Sequence, residues 1–189
     1  MVGTGSAALG RDAAGNIHRE GGLGPANSDE GSAFDIGRSA VLAARPENTP
    51  ETIELARHIL RHLGTPSWAE VDSQSAAHAD AIFPRIFPVV AAAADAGNTV
   101  AQSLLLSAAE NLASMTRRLA GTLNLREQPC PLGKVGGTVG RSRFFDQVLD
   151  RELLRMLPNI AVSPLKVDAA AVAAKKSLGL WRNQKGPLP

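Results

Sequence analysis

The longest uninterrupted pattern in the chain is helical, and the rest of the fold has to accommodate it. Between Asn98 and Leu119, the residues Ala101, Leu104, Leu105, Ala108, Ala109, Leu112 and Met115 recur at i, i+3, i+4 and i+7. That spacing puts them on one face of a helix, and a helix with one apolar face must bury it against a second layer. Further helices are predicted on both sides. Phe34, Ile36, Ala40, Val41, Ala43 and Ala44 predict one that starts at Ser28 or Asp29 and runs to Arg45, closed by Pro46. Ser28 is read as its cap, with Asp29 and Glu30 at the positive end of the helix dipole. Pro50 opens another, with Ile53, Leu55, Ala56, Ile59, Leu60 and Leu63 on a broad apolar face and Gly64 at its end. Residues 67–96 read as shorter helical pieces broken by prolines. Phe144, Phe145, Val148, Leu149, Leu153 and Met156 share the face of one more helix, and 167–178 reads as a last, Ala-rich one. The polar, Pro-ended residues 179–189 read as a loose tail.

Strand signals sit at the two ends of this pattern. Residues 6–11 and 16–20 alternate around Asp12-Ala13-Ala14-Gly15, whose turn chemistry predicts a β-hairpin. Leu132 to Val135 predicts a short buried strand running into Gly136-Gly137, and Ile160 to Val162 another. A hairpin first, then alternating strand and helix, gives an α/β lobe rich in helix.

Composition narrows the function classes. The 189 residues are 44% apolar and 20% charged, enough to bury a core in one domain. The net charge is only +2, so nucleic acid is not an implied partner. The apolar window from Ala81 to Ala94 is interrupted by Pro84, Arg85 and Pro88 and is too short to span a bilayer. Met1 to Ser6 lacks the basic and apolar regions of a signal peptide. The only cysteine, Cys130, rules out an internal disulfide and a four-cysteine metal site, and points to a reducing compartment such as the cytoplasm. His58 and His62 lie one turn apart without a third ligand, so no metal site is assigned.

Three glycine-rich constellations can carry chemistry. In Gly3-Thr4-Gly5-Ser6, glycines around a hydroxyl let backbone N–H groups approach an anion, while the Thr hydroxyl donates to phosphate. The same residues suit a plain turn beside the hairpin. Gly3, Gly5 and Ala8 also match a dinucleotide fingerprint, which requires a helix to follow. In the second, Gly21-Gly22-Leu23-Gly24 feeds Ser28-Asp29-Glu30-Gly31-Ser32, where carboxylates either accept from sugar hydroxyls or serve the helix dipole. In the third, Gly136-Gly137-Thr138-Val139-Gly140 lets a flat or charged ligand lie against the backbone, or simply turns the chain. No Lys-Ser/Thr follows it, so it is not a Walker A loop.

Taken in order, these sites resemble the C-terminal lobe of the BadF/BadG/BcrA/BcrD-type ATPases, the family that includes N-acetylglucosamine kinase. The family belongs to the acetate/sugar kinase, heat-shock and actin superfamily. Gly3-Thr4-Gly5-Ser6 resembles its second phosphate loop, and Gly22-Leu23-Gly24 with Asp29-Glu30-Gly31-Ser32 its sugar-side loop and helix. Ala96-Gly97-Asn98 resembles the turn before its long helix, and Gly136-Gly137 its adenosine loop. The resemblance covers residues 1–178. It departs at Leu23, where the family has Trp, at Ser28, where it has Gly, and at Thr138-Val139-Gly140, where it has an apolar pair before a polar turn.

The resemblance implies a ribonuclease-H-like, actin-type fold and phosphoryl transfer from ATP, with Mg2+, to a sugar such as N-acetylglucosamine, or ATP hydrolysis. It places phosphate on Gly3, Thr4, Gly5 and Ser6, adenosine on Gly136 and Gly137, and the sugar on Gly22, Leu23, Gly24 and Asp29. In the family, the magnesium-holding Asp and the catalytic base lie in an N-terminal lobe, so no base is assigned here. Met1 directly before a motif that should end a strand predicts a truncated frame or split gene, completed by a separate lobe or a homodimer. Two other readings stay open. One is a non-catalytic binding module descended from such a lobe; the other is a nicotinamide enzyme built on Gly3, Gly5 and Ala8.

Overall fold

Helix α5 (Thr99–Thr122) is the element the others pack around in the computed structural model, which describes residues 1–24 and 28–165. Its start is anchored by Asn98. The side-chain oxygen accepts from Ala101 N at 3.0 Å, and the amide nitrogen donates to Glu51 O and Glu54 Oε2. One side chain therefore caps α5 and ties it to helix α2 (Pro50–Leu63). Ala101, Leu105, Ala108, Ala109, Leu112 and Met115 are all buried, and Leu104 is partly so.

The other elements follow the apolar patterns. Helix α1 covers Ala33–Ala44, α3 Trp68–Ile82 and α4 Phe87–Asp95, with a 3-10 turn, Phe83–Ile86, between the last two. Strand β3 (Cys130–Lys134) leads to α6 (Arg143–Met156) and then β4 (Ile160–Pro164). Helix α2 is opened by a Thr49–Thr52 capping box with Pro50 and closed by Gly64 at φ 71°. Its apolar face is narrower than the pattern predicts, since Ile53 is 47% exposed.

At α1 the sequence reading is corrected. The cap is Ser32, whose oxygen accepts from Asp35 N, and not Ser28. Ser28 Oγ instead accepts from Leu23 N at 2.8 Å. Asp29 and Glu30 therefore precede the helix and do not form its first turn. The predicted helix at 167–178 and the tail at 179–189 lie outside the described residues.

Strands β1 (Ala7–Arg11) and β2 (Ile17–Gly21) pair antiparallel, with Ala7 opposite Gly21 and Arg11 opposite Ile17. In their turn Gly15 takes φ 89°, and Asp12 accepts from Asn16 Nδ2 and N and lies 3.2 Å from His18. Those contacts hold the Asp12 carboxyl down to about 2. A strand at 7–11 excludes the helix that a dinucleotide fingerprint on Gly3, Gly5 and Ala8 would need, so that reading is set aside. Strands β3 and β4 form a second, parallel pair. Strand β3 is only half-buried, contrary to expectation, apart from Lys134, whose ammonium meets Asp150 of α6. Among the described residues no single helix is long and apolar enough to cross a membrane.

Helix α1 lies so close to the 3-10 turn that Phe34 and Phe83 meet edge to face, centroids 5.2 Å apart. A Cβ on Gly37 would stand 1.9 Å from Phe83 O. Alanine ordinarily stabilises a helix interior over glycine by about 0.8–1 kcal/mol. Here the backbone contact reverses the sign, and Gly37→Ala is expected to cost about 1–3 kcal/mol. Urea denaturation checks this; a midpoint equal to or above that of the parent would contradict it.

Candidate nucleotide and sugar clefts

The turn at Gly3–Ser6 is built by the chain folding back on itself. Met1 and Ala7 exchange both backbone hydrogen bonds, at 2.8 and 3.0 Å, and Gly3 N donates to Gly5 O at 2.9 Å. The Gly3 and Thr4 carbonyls accept from Ala33 N and Phe34 N, the first amides of α1. These bonds fix the turn and satisfy the α1 terminus, so that helix end is not a free anion site. Thr4 is left with an exposed side chain. Ser6 is not: it is buried, and its hydroxyl donates to Glu30 O at 2.9 Å. Its one proton is spent there, so the expected Ser6–phosphate contact is replaced by a structural tie.

Two clefts share Gly3 and Thr4 as a common wall. The first, about 600 Å3, is lined by Thr4, Pro84, Phe87, Asp95, Gly137, Thr138 and Arg141, among others. Thr4 and Gly137, 133 positions apart in the sequence, thus face one space. The second, about 700 Å3, is lined by Gly5, Ser6, Arg19, Gly22, Gly24, Asp29 and Gly136, among others. Gly136 therefore faces the second cleft while Gly137 faces the first. Leu23, read as a sugar contact, is not in the wall of either cleft; it is 61% exposed, because the bond from its N–H to Ser28 turns the loop outward.

Asp29 has the least satisfied side chain of the pair of clefts. It is 8% exposed, and its Oδ1 has no hydrogen-bond partner. A Cβ on Gly5 would lie 2.7 Å from its Oδ2, so the glycine is what admits the carboxylate. A buried carboxylate oxygen without a donor is costly, and hydroxyl donors from a ligand would relieve it.

Thr138 lies within the third glycine constellation but was given no role of its own there, and Asp95 and Arg141 had no signal in the local sequence. Thr138 is 1% exposed and donates through Oγ1 to Val2 O at 2.9 Å, binding the third glycine loop to the first turn. Asp95, at the end of α4, accepts from Ser142 Oγ, Arg143 N and Phe144 N at 2.8–3.2 Å and so caps α6. Burial pushes the Asp95 carboxyl up, but the bonds from Phe144, Ser142 and Arg143 outweigh it and hold the group below its ordinary value. Arg141 adds a cation to the same cleft. The partners of Thr138 and Asp95 are remote in sequence, which is why periodicity did not find them.

No family model matches the chain. The N-acetyl-D-glucosamine kinase of Dictyostelium discoideum is 28% identical over 94% of this chain and 58% of its own length. A crystal structure of a candidate N-acetylglucosamine kinase from Chromobacterium violaceum matches with a TM-score of 0.64 at 23% identity, over 85% of this chain and 53% of that one. The resemblance read from the ordered glycine motifs holds: the chain is similar to N-acetylglucosamine kinases, and its helix-rich α/β architecture is shared with one of them. It spans little more than half the length of either relative.

The lowered Asp95 pKa has a definite sign. The stabilisation is present above the ordinary carboxylate range, near pH 4, and is lost as pH falls through the lower folded value. At pH 7, Asp95→Asn is expected to melt below the parent by the equivalent of about 1 kcal/mol, as for a helix cap. Melting curves between pH 7 and pH 2.5 check this: the difference should shrink on acidification, and a gap independent of pH would contradict it.

Proposed function

We propose that this chain is the C-terminal lobe of an N-acetylglucosamine kinase-like phosphotransferase, with a ribonuclease-H-like, actin-type fold, and that it binds ATP and an amino sugar. The observation that carries the reading is the buried Asp29 carboxylate, one oxygen unpartnered, in a cleft that shares Gly3 and Thr4 with a second cleft. Phosphoryl transfer needs donor and acceptor held against one point. Thr4 is that point in this proposal. Its hydroxyl and the Gly5 N–H hold phosphate, with Gly3 as the shared wall. Gly137, across the first cleft, and Gly136, beside it, flank adenosine. In the second cleft Gly22 and Gly24 let a sugar lie against the backbone, and Asp29 accepts from its hydroxyls. Ser6 positions the turn through Glu30.

Among the described residues, no three His, Cys, Asp or Glu side chains converge as a metal site. Mg2+ is commonly held by one or two carboxylates together with nucleotide phosphates, so the ion is taken to arrive with ATP and no step is derived through it. The catalytic base is likewise sought outside this chain, in a second lobe.

Calorimetric titration of the purified chain with Mg·ATP and with N-acetylglucosamine tests the assignment. Asp29→Asn is expected to weaken sugar binding by about tenfold or more, the scale of a lost charge-assisted hydrogen bond, and to leave ATP binding unchanged. Thr4→Ala should do the reverse. Failure to bind either ligand would overturn the reading. In a coupled assay the isolated chain is expected to show no sugar-dependent ADP release; turnover abolished by Asp29→Ala would instead show that it carries its own base.

A further inference from the structure

Helix α2 carries His58, Arg61 and His62 at i, i+3 and i+4, a spacing that makes them neighbours on its surface. The face beside them, with Leu55, Ala56, Ile59 and Leu63, is buried in the core. All three side chains line a groove of about 450 Å3, whose other wall is Pro88, Val89 and Ala92 of α4. No carboxylate is among its lining residues. Among the described residues, none of the three side chains makes a hydrogen bond or an ion pair. One wall is therefore a set of unspent donors and the other is apolar.

Compensation of the helix dipole does not account for this group. Arg61 and His62 stand in the last turn of α2, where cations are expected. His58 stands a turn earlier and is half-buried against the apolar wall. The end of α2 is also closed without them: Gly64 N donates to Arg61 O at 3.2 Å, and Thr65 N donates to Leu60 O at 3.0 Å. A metal ion does not suit the groove either. Among the described residues no third imidazole, thiol or carboxylate joins the two histidines, and the Arg61 guanidinium beside them repels a cation. What the three side chains share is donation. Arg61 offers a planar fork of N–H groups, and an imidazole carries at least one N–H whether neutral or charged.

We propose that the groove between α2 and α4 binds a small phosphate monoester with an apolar body. His58, Arg61 and His62 donate to the phosphate oxygens, and Pro88, Val89 and Ala92 cover the body. A terminal phosphate presents three strong acceptor oxygens and about −1.5 to −2 charges near neutral pH. A carboxylate presents two oxygens, which the Arg61 fork fills alone, leaving both imidazoles unused. The α4 wall requires the body, since an inorganic ion would leave that apolar surface in water. The groove also falls within the size range of small-molecule sites, about 300–1,000 Å3. This site goes beyond the phosphotransferase reading and does not depend on it: the groove shares Pro88 and Ala92 with the first cleft, but not Thr4, Gly137 or Arg141.

The chain has four histidines, His18, His58, His62 and His78, so imidazole NMR reads the groove together with its own controls. Phenyl phosphate, titrated into the full chain at constant pH, is expected to shift the ring signals of His58 and His62 saturably and to leave those of His18 and His78 in place. Arg61→Gln, at an exposed position, should weaken this binding about tenfold or more, the scale of a lost charge-assisted hydrogen bond. Two ligand comparisons need no change to the protein: benzoate lacks the tetrahedral head and inorganic phosphate lacks the body, and each should bind more weakly than phenyl phosphate. An absence of shift at His58 and His62 overturns the proposal, as does an equal shift of all four histidines, which marks unspecific anion binding. Undiminished binding by a folded Arg61→Gln chain, or benzoate binding as tightly as phenyl phosphate, overturns it too. Shifts that vanish in Thr4→Ala would assign the ligand to the first cleft, with the same consequence.

Discussion

The backbone of Val2 is the joint on which the rest of the molecule depends. Its N–H donates to Val135, and its carbonyl accepts from both the amide and the hydroxyl of Thr138. Through these bonds the N-terminal turn and hairpin are held to β3 and to the glycine loop that follows it. A carbonyl held this close leaves no room for a side chain opposite: a Cβ on Gly136 would stand 2.0 Å from Val2 O, and Gly136 takes φ 132°. The glycine that looked like a ligand-binding feature is thus required by packing as well. Because Val2 is buried, these bonds are shielded from competing water.

Two carboxylates near the clefts have opposite fates. Asp95 is fully engaged, accepting from a hydroxyl and two amides and fastening the end of α4 to the start of α6. Its charge neutralises the α6 N-terminus, so that helix dipole is not available to a nucleotide phosphate. Asp29 is buried with an oxygen left over. Burying a carboxylate this way is costly unless donors are supplied to it, and this cost is what the proposed sugar contact at Asp29 rests on. Thr4 is exposed between them because its carbonyl, and not its hydroxyl, is used to hold α1.

Most elements were legible in the sequence, and the reasons are local. Helix α5 was readable because its apolar residues share one face, and α2 because Pro50 and Gly64 are start and stop signals that act over a few residues. The hairpin was readable from Asp12 to Gly15. The start of α1 was misread because Ser28, Asp29 and Glu30 satisfy the same local rule as Ser32; the choice between them came from Gly3 and Thr4, whose carbonyls receive the first helical amides. Likewise Ser6 reads as a phosphate donor until Glu30 claims its proton.

The order of glycine motifs, the helical periodicities and the resemblance to N-acetylglucosamine kinases were determined by the sequence alone, since each depends on residue type and short spacing. The tertiary structure alone decided that Thr4 and Gly137 face one cleft, that Gly136 faces the other and Leu23 neither, and that Asp95 is spent and Asp29 is not. Each of these is a hydrogen bond or a contact between residues far apart in the chain. Such a pairing depends on which donors and acceptors the packed helices bring together, and no local pattern encodes it.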